Sequence, residues 1–328
     1  MVMFGRALLA GALAIGLVQQ AGGPAHAQDY PNRPIKMVVP YPAGGPTDGI
    51  ARIVSDRLGQ VLGQSVVVEN KGGGAGGSVG AKFVAASHPD GYTILITPGG
   101  TLTSGPAVHK NIGYDPAKVF TPVALLIETP QIIYVSPSLP AKTLAELKTY
   151  AEANPGKISW GSQGFGTGPH LLAEMFKLQA GVSIAHVPYR GTAPMQTALL
   201  ANEIQVAAGA ETGVLPHIEA ARVRPLAVAA KRRAMKLPDV PTTGEAGYPK
   251  LLAPFWLGVV APAGTPPAIV DKLNAALRES LDPPETRERL AKLGAEIRIG
   301  TPAEFGRMID EERAMWAEVV NAAHLQVD

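Results

Sequence analysis

A glycine-rich turn near the start of the chain could bind an anion through its backbone. The segment Pro40–Asp48 follows an apolar run typical of a buried strand and precedes apolar residues at helical spacing. Gly44 and Gly45 would let the backbone approach a ligand closely, and Thr47 and Asp48 are candidates for the helix N-cap. Because the first N–H groups of a helix lack internal partners and carry the positive end of its dipole, the turn predicts an anion site. The alternative is a capped turn whose glycines serve only steric needs.

Two later turns repeat this design. Residues 161–170 follow a predicted strand and open a predicted helix, with Pro169 suited to the first helical position and Thr167 or Gly168 suited to the cap. Residues 188–194 follow the next predicted strand and again place a small hydroxyl residue before a helix. If the three turns face each other across a cleft, they could hold carboxylates through N–H and hydroxyl groups.

Two short motifs also occur in enzymes. The run Gly72–Gly77 fits the dinucleotide pattern G-x-G-x-x-G, but it does not follow the first strand and no acidic residue ends a following strand. The run Gly76–Gly80 fits the hydrolase pattern G-x-S-x-G, with Ser78 in the place of the nucleophile. A true elbow turns sharply off a strand, whereas a Lys/Gly/Ala run precedes this one, so we expect Ser78 to lie early in a helix. A secreted serine hydrolase using Ser78 is kept as an alternative function.

The histidines show no ligand spacing. The chain has 7 His and no Cys, and the His do not stand three or four residues apart. We therefore predict no metal site, no disulfide and no cofactor. His170, at the start of a predicted helix, could touch a ligand or serve the helix start, and both interpretations stay open.

The N-terminus predicts export. An apolar stretch follows Arg6, and Ala25–Ala27 fits an A-x-A cleavage site, so we expect residues 1–27 to be a signal peptide. The stretch is too short for a comfortable membrane span, and without a cysteine for lipid attachment we expect a free periplasmic protein. A formal charge of +2 and the lack of a long basic run argue against nucleic acid as a partner.

Strand-like and helix-like segments alternate along the rest of the chain, which predicts an α/β protein with parallel sheets. About 300 residues exceed one usual core, so we expect two domains. No single linker divides the chain, which fits one domain inserted into another through two crossing strands, near residues 123–127 and 225–229. We assign residues 28–125 plus 226–328 to lobe 1 and residues 126–225 to lobe 2, with a ligand cleft between them.

Motifs of a known family run through the mature chain in a fixed order: Val39–Asp48, Val68–Gly77, Asn154–Lys157, Gly161–Leu171, His186–Gly191, Pro216–Ile218, Leu237–Thr242 and Ala261–Pro266. Each motif alone is weak, but together they are specific. The chain resembles the Bug-type substrate-binding receptors of tripartite tricarboxylate transporters from Tyr30 to its C-terminus.

The resemblance implies a two-lobed periplasmic-binding-protein fold of type II. Each lobe would contain a mostly parallel sheet flanked by helices, and two crossing strands would form a hinge. It also implies a receptor without enzymatic activity, which captures a small organic carboxylate and delivers it to membrane transporter subunits. We expect a monomer. A solute sensor for a membrane signalling partner would use the same pocket, so this alternative stays open, as do the identity of the carboxylate and the resting state, open or closed.

The resemblance points to the same three turns as the residue patterns. It places the ligand carboxylate against the first loop, through backbone N–H groups and bridging waters, and the contacts of the second lobe in the two later turns. The predicted ligand-binding residues are Tyr41, Pro42, Ala43, Gly44, Gly45, Thr47, Asp48, Ser162, Phe165, Thr167, His170, Tyr189, Gly191, Thr192 and Pro194.

The second lobe departs from the family pattern. Residues 197–202 replace the usual Asp-Leu-Leu-Gly-Gly-Gln, and Ala208 and Gly209 replace a Phe-Asp-like pair, with Glu211 shortly after. If Glu211 faces the cleft, it would repel a second ligand carboxylate; the alternative is that it is solvated outside the cleft. Phe165 offers an aromatic face that an aromatic acid could use. The distal end of the ligand is therefore open between an aromatic acid and a dicarboxylate.

Overall fold

The computed structural model describes residues 30–322 and 325–327, so the predicted signal peptide lies outside the described residues. The strands are β1 (Ile35–Val39), β2 (Val66–Asn70), β3 (Thr93–Pro98), β4 (Phe120–Thr129), β5 (Gln131–Val135), β6 (Ser159–Ser162), β7 (Ala185–Pro188), β8 (Val206–Ala210), β9 (Arg224–Val228), β10 (Phe255–Pro262) and β11 (Glu296–Ile297). The helices are α1 (Pro46–Leu62), α2 (Ser78–Ala85), α3 (Gly99–Leu102), α4 (Ser104–Val108), α5 (Pro116–Val119), α6 (Leu144–Ala153), α7 (Gly168–Ala180), α8 (Thr192–Leu200), α9 (Glu211–Glu219), α10 (Pro267–Leu281), α11 (Pro284–Lys292) and α12 (Pro302–Ala322).

The first sheet has the strand order β11-β4-β10-β3-β1-β2. Its central strands are buried on both faces. Met37 of β1 packs in a cluster with α1 and α10, and the next residue, Val38, packs in a cluster with α2 and α12. A strand covered by helices on both faces has a continuous apolar sequence instead of an alternating one, which explains the apolar run before the first turn.

The second sheet has the strand order β7-β6-β8-β5-β9. Helices again cover both faces, because Ile133 and Val135 of β5 pack with α6 and α7, whereas Ile132 and Tyr134 pack with α8 and α9. Two sheets with separate cores make a two-lobed molecule, as the sequence predicts.

The chain crosses between the sheets twice, and the crossings make both sheets mixed. β4 of the first sheet continues through Pro130 into β5 of the second, and the chain returns between β9 and β10. β5 runs antiparallel to β8 and β9, and β10 runs antiparallel to β3 and β4. The prediction of mostly parallel sheets is therefore wrong for these strands, because a strand that enters from the other lobe need not follow a βαβ crossover.

Strand pairing also shifts the crossings. Residues 127–129 still pair within the first sheet, and residues 227 and 228 pair with β5 in the second. The sheets thus divide the chain later than residues 125 and 225, the limits that the sequence suggests. The reason is that β9 is an edge strand of the second sheet and not itself a crossing strand.

One local prediction is confirmed, and the start of the last long helix is capped by its own side chains. Ser78 is the first residue of α2 and is buried, as expected for a helix residue and not for a nucleophile elbow. At the start of α12, the N–H of Glu304 donates to Thr301 Oγ1 at 3.2 Å and the N–H of Thr301 donates to Glu304 Oε2 at 2.8 Å, which is a capping box. Among the described residues, no helix combines the length and the apolar character that crossing a membrane requires.

Candidate ligand-binding site

A cleft between the lobes collects the loops that follow the parallel strands of both sheets. Residues 41–48 follow β1, residues 98–100 end β3, residues 163–169 follow β6, residues 190–196 follow β7, and residues 209–214 end β8; members of all five segments line the cleft. Ligands of open α/β sheets bind outside the carboxyl ends of the strands for this reason. The cleft encloses about 1030 Å³, including space open to solvent at its mouth.

Four helices of nine or more residues start at this cleft. The N-cap residues of α1, α7, α8 and α9 are Gly45, Thr167, Gly191 and Ala210, and all four line it. None of these four side chains accepts a hydrogen bond from its own helix. The positive ends of four helix dipoles therefore meet in one place, which favours a bound anion. Of the first N–H groups, that of Glu211 in α9 is already bonded to the carbonyl of Pro130.

The first loop differs in detail from the prediction. Gly45 is the N-cap of α1 and Pro46 takes the first helical position, so Thr47 and Asp48 lie inside the first turn instead of capping it. The physical reason is that Pro is suited to that position, since it lacks an N–H that would go unsatisfied there. Gly44 has φ +84°, a left-handed conformation that side chains disfavour.

Asp48 holds this loop together. Its Oδ2 accepts from the N–H of Gly44 at 3.0 Å, and the Arg52 guanidinium donates to both carboxylate oxygens, at 3.1 and 3.0 Å. Burial acts to raise the pKa of Asp48, but the hydrogen bonds from Arg52, Gly44 and Asn70 and the charge of Arg52 lower it overall. The carboxylate is therefore ionised and paired, which reduces its repulsion of an anion in the cleft.

The second glycine run supports the first loop from below. A Cβ on Gly72 would lie 2.9 Å from Pro42, and a Cβ on Gly77 would lie 2.9 Å from Pro40. The hydroxyl of Tyr41 donates to the carbonyl of Gly76 at 3.2 Å. The glycines of the G-x-G-x-x-G pattern are thus needed for close packing under the loop, which explains them without a dinucleotide.

The second turn places three predicted site residues outside the cleft lining. Ser162 Oγ hydrogen-bonds His186 Nε2 at 2.7 Å, and His170 Nδ1 accepts from the N–H of Gly166 at 3.2 Å. The Phe165 ring packs edge-on against His170 and His186, with ring centroids 5.3 and 5.0 Å apart. These side chains bond and pack within the turn, and Phe165 is not among the residues that line the cleft, so contact between its ring and a ligand stays a prediction.

His170, Glu174 and His186 also lie close enough together to suggest a cation site, since their ligand atoms fall within 4.8 Å of one another. Each has another partner, because Glu174 pairs with Lys177 at 2.7 Å and the two imidazoles bond within the turn. Burial and, more weakly, the charge of Lys177 lower the pKa of His170 to about 3 and that of His186 to about 4. We interpret the group as part of the turn.

The lobes touch each other around the cleft. Ser104 Oγ donates to the carbonyl of Gly166 at 2.5 Å, and His109 Nε2 lies 3.1 Å from the carbonyl of Phe165. On the other side, a Cβ on Gly213 would lie 2.6 Å from Pro46. Val108 of α4 also packs in the second-lobe cluster, so the bonds of Ser104 and His109 tie α4 to that lobe, whereas the contact of Gly213 with Pro46 joins α9 of the second lobe to α1 of the first.

Ten of the predicted ligand-binding residues line the cleft: Tyr41, Pro42, Ala43, Gly45, Thr47, Asp48, Thr167, Gly191, Thr192 and Pro194. Five do not line it: Gly44, Ser162, Phe165, His170 and Tyr189. Gly44 and Ser162 hold turns through hydrogen bonds, and Tyr189 packs beside the cluster formed by α8 and α9. Ligand contact by any of the fifteen stays a prediction.

The sequence patterns did not predict most of the second-lobe residues that line the cleft. They also did not predict an aromatic wall formed by Phe255, Trp256 and Trp316. The missed polar lining residues are Gln131, Tyr134, Gln163, Arg190 and Gln196, and the missed aromatic and acidic ones are Phe255, Trp256, Glu312 and Trp316. The one available signal was a polar residue, Gln131, at the start of an otherwise apolar strand. Residues of β10 and α12 reach the cleft through tertiary packing, which carries no local signature.

Glu312 joins the two tryptophans of the aromatic wall. The indole N–H groups of Trp256 and Trp316 donate to its two oxygens, at 2.5 and 2.9 Å. Burial raises the pKa of Glu312, while these hydrogen bonds act in the opposite direction. The carboxyl group therefore has its own partners and positions the rings.

Glu211 lies neither in the cleft lining nor in solvent. Its side chain is buried between the lobes, where a Cβ on Gly294 would lie 2.8 Å from the Glu211 carboxyl carbon. Its N–H donates to the carbonyl of Pro130, at the first crossing. Burial, with a smaller contribution from Glu296, raises the pKa of Glu211 to about 7, although Lys236 opposes the shift. Both expectations for Glu211 are therefore wrong, because the helix it begins turns it behind the cleft.

The fold and the cleft define a two-lobed solute-binding protein. The model of the tripartite tricarboxylate transporter family receptor matches residues 50–325. The chain therefore belongs to this receptor family, and the resemblance predicted from its motifs is confirmed.

Solved structures agree. The periplasmic binding protein BugD is 37% identical, with a TM-score of 0.86 over 90% of this chain and 99% of BugD. Rpa4515 of R. palustris, solved with adipate, is 36% identical, with a TM-score of 0.86 over 90% of this chain and 98% of its own. MatC from Rhodopseudomonas palustris, solved with bound malate, is 35% identical, with a TM-score of 0.84 over 89% of this chain and 100% of MatC. The chain is a solute-binding receptor and not an enzyme.

Proposed function

We propose that the protein captures a small organic carboxylate in the cleft between its lobes. The observation that carries this proposal is the convergence of the N-termini of α1, α7, α8 and α9 on the cleft, where no N-cap side chain accepts a hydrogen bond from its own helix and only the first N–H of α9 is already bonded, to Pro130. A carboxylate fits such a site because it accepts several N–H bonds and is attracted by the helix dipoles. Arg190, exposed at the third turn, adds a positive charge to the lining.

The related structures support this ligand class. Rpa4515 was solved with adipate and MatC with malate, and both ligands are carboxylates. This chain shares the fold of both proteins over most of its length. A carboxylate in the same cleft is the simplest ligand consistent with these likenesses and with the helix starts.

We further propose that the protein acts in the periplasm as a monomer and delivers its ligand to a tripartite membrane transporter. The signal-peptide pattern of residues 1–27 supports export. Membership of the receptor family supports the transporter partner. The similarity to BugD, a periplasmic binding protein, supports the compartment.

Calorimetric titration with adipate, malate and matched amines or alcohols tests the proposal. We expect the acids to bind and to raise the unfolding temperature, since a ligand that binds only the folded state stabilises it. We expect Thr47→Pro to weaken acid binding about tenfold or more, because it removes an N–H from the first turn of α1 that lines the cleft.

Ala303→Pro is the matched control. Like Thr47, Ala303 follows a proline at the first helical position, but it starts α12 outside the cleft lining. The control should bind acids like the wild type. Equal affinity for acids in Thr47→Pro and Ala303→Pro, or no binding of any carboxylate by the wild type, would contradict the proposal.

A further inference from the structure

Two buried oxygens on β5 have no hydrogen-bond partner among the described residues. They are Gln131 Oε1 and the hydroxyl of Tyr134. Both residues line the cleft, and they are only 2% and 1% exposed. A buried polar atom without a partner costs free energy, and most buried polar groups in native proteins are paired. Two such atoms at a ligand site therefore point to a partner that the ligand supplies.

Gln131 is fixed with its acceptor free. Its Nε2 donates to the carbonyl of Ala253 at 2.9 Å, a buried bond that assigns the nitrogen and the oxygen of the amide. Turning the amide over would break this bond and set two carbonyl oxygens against each other. Oε1 can only accept, so it requires an N–H or O–H donor.

The buried Tyr134 hydroxyl borders Gly209 and faces the Gln196 side chain. A Cβ on Gly209 would sit 3.5 Å from the Tyr134 hydroxyl oxygen and 3.9 Å from Gln163 Nε2. A Cβ at Gly209 would therefore make ordinary van der Waals contact with the phenol, and a ligand atom of that size could take the same place.

The part of this wall around β5 carries no formal charge, since the exposed Arg190 lies at the third turn beside the start of α8. The polar side chains of this part are Gln131, Tyr134, Gln163 and Gln196, and the Nε2 of Gln196 already donates to the carbonyl of Gly213 at 2.7 Å. An ionised carboxylate offers acceptors only. Beside Gln131 Oε1 a carboxylate would meet another acceptor, whereas a hydroxyl or an amide N–H would donate the hydrogen bond that this oxygen lacks.

We propose that the second-lobe wall selects a monocarboxylate that carries a hydroxyl or amide N–H group away from its carboxylate, in preference to a dicarboxylate of the same length. This inference rests on the proposed function, since the helix starts must first take the carboxylate. It assigns the far end of the ligand to Gln131 and Tyr134.

Matched ligands of equal length test the inference by calorimetry. At six carbons the series is 6-hydroxyhexanoate, adipamate, adipate and hexanoate, and at four carbons it is 4-hydroxybutyrate, succinamate, succinate and butyrate. At one length or both, we expect the hydroxy acid or the amide acid to bind about tenfold or more tightly than the dicarboxylate and the methyl-ended acid.

Variants assign the preference to the two oxygens. Tyr134→Phe and Gln131→Met each remove one unpaired oxygen, and at least one of them should reduce the hydroxyl-over-methyl preference to within about twofold, with binding of the methyl-ended acid retained. Tyr248→Phe is the matched control, because Tyr248 lies in the same lobe outside the cleft lining. Unfolding temperatures and circular dichroism identify any variant that does not fold, and Tyr134→Phe leaves the ring in place.

The outcomes separate the two proposals. A dicarboxylate that binds more tightly than its hydroxy and amide analogues at both lengths would overturn the inference but leave the carboxylate site intact. A preference that survives both variants would also overturn it. If no acid in either series binds, the proposed function fails and the inference fails with it.

Discussion

The two lobes offer the cleft different kinds of chemical groups. The first lobe offers the backbone of the loop at residues 41–48, which is held by Asp48, Arg52 and Asn70. The second lobe adds side chains, and two of their oxygens have no partner among the described residues. A loop completed by its own neighbours is ready for any carboxylate, whereas a wall with unpaired acceptors requires a particular group. We infer that the first lobe binds the carboxylate of the ligand and that the second lobe recognises the group at the other end of the ligand.

Substitution of Gly44 tests the role of the first lobe, and we expect it to have the largest effect on ligand affinity. Its φ of +84° disfavours a side chain, although a Cβ there would meet no atom within 4 Å. We expect Gly44→Val to cost about 1–3 kcal/mol of stability through strain. Because the loop must then move, we expect it to weaken carboxylate binding about a hundredfold by calorimetry.

Gly156→Val is the control for strain alone. Gly156 also has a positive φ, of +74°, with no atom within 4 Å of a Cβ, and it lies outside the cleft lining. We expect a similar loss of stability with unchanged affinity. Wild-type affinity in Gly44→Val would show that this loop does not hold the ligand.

The outcome for this loop shows what local sequence can predict. Thr167 as the N-cap of α7 and the glycine-rich loop before α1 follow from residue types within a few positions, although Pro169 takes the second helical position of α7 and not the predicted first. A site made of backbone N–H groups is predictable in this way, because turn residues determine where helices start. The shift of the N-cap from Thr47 to Gly45 stays within one turn.

The second-lobe wall could not be predicted in this way. Gln131 gains its role from the pairing of β5 between β8 and β9 and from the carbonyl of Ala253, which is 122 residues away. Trp316 reaches the cleft from the last long helix. Glu211 was placed wrongly because its orientation depends on how α9 leaves β8, and no pattern in the sequence gives that angle.

The carboxyl group of Glu211 gives a pH prediction at the boundary between the lobes. Its pKa is about 7 in the folded protein against an ordinary value of 4.5. Between these values the folded state retains a proton that the unfolded state has released, so this group makes stability fall as pH rises from 4.5 to 7. We expect Glu211→Gln to be more stable than the wild type by about 2–3 kcal/mol at pH 8 and nearly equal to it at pH 4.5.

Denaturant unfolding across this pH range measures the difference. Glu219→Gln, at the exposed end of the same helix, is the control and should follow the wild-type profile. Parallel pH profiles for Glu211→Gln and the wild type would mean that the carboxyl group is hydrated in solution and not buried between the lobes.

We expect a variant that weakens closure of the lobes to have the smallest effect on ligand affinity. We expect the closed form to hold α4 against the second turn, so Ser104→Ala removes a hydrogen bond to Gly166 that favours this form. One such bond contributes about 1 kcal/mol, so we expect ligand affinity to fall about fivefold. Ser87→Ala, which removes a hydroxyl bonded within one lobe, should leave affinity unchanged.

Small-angle scattering checks the same point by shape. Ligand should lower the radius of gyration, because the closed form makes more contacts with it. The Ser104→Ala variant should need more ligand to reach the compact form. A radius that does not change with ligand in the wild type would argue against closure as part of binding.

A crystal structure with the tightest-binding acid of the matched series tests the central claim most directly. The account predicts one carboxylate within about 2.7–3.2 Å of the first N–H groups of α1 and α8, and a hydroxyl or amide N–H donating to Gln131 Oε1 or paired with the hydroxyl of Tyr134. A carboxylate seated against Gln131 and Tyr134, with the helix starts empty of ligand, would contradict it.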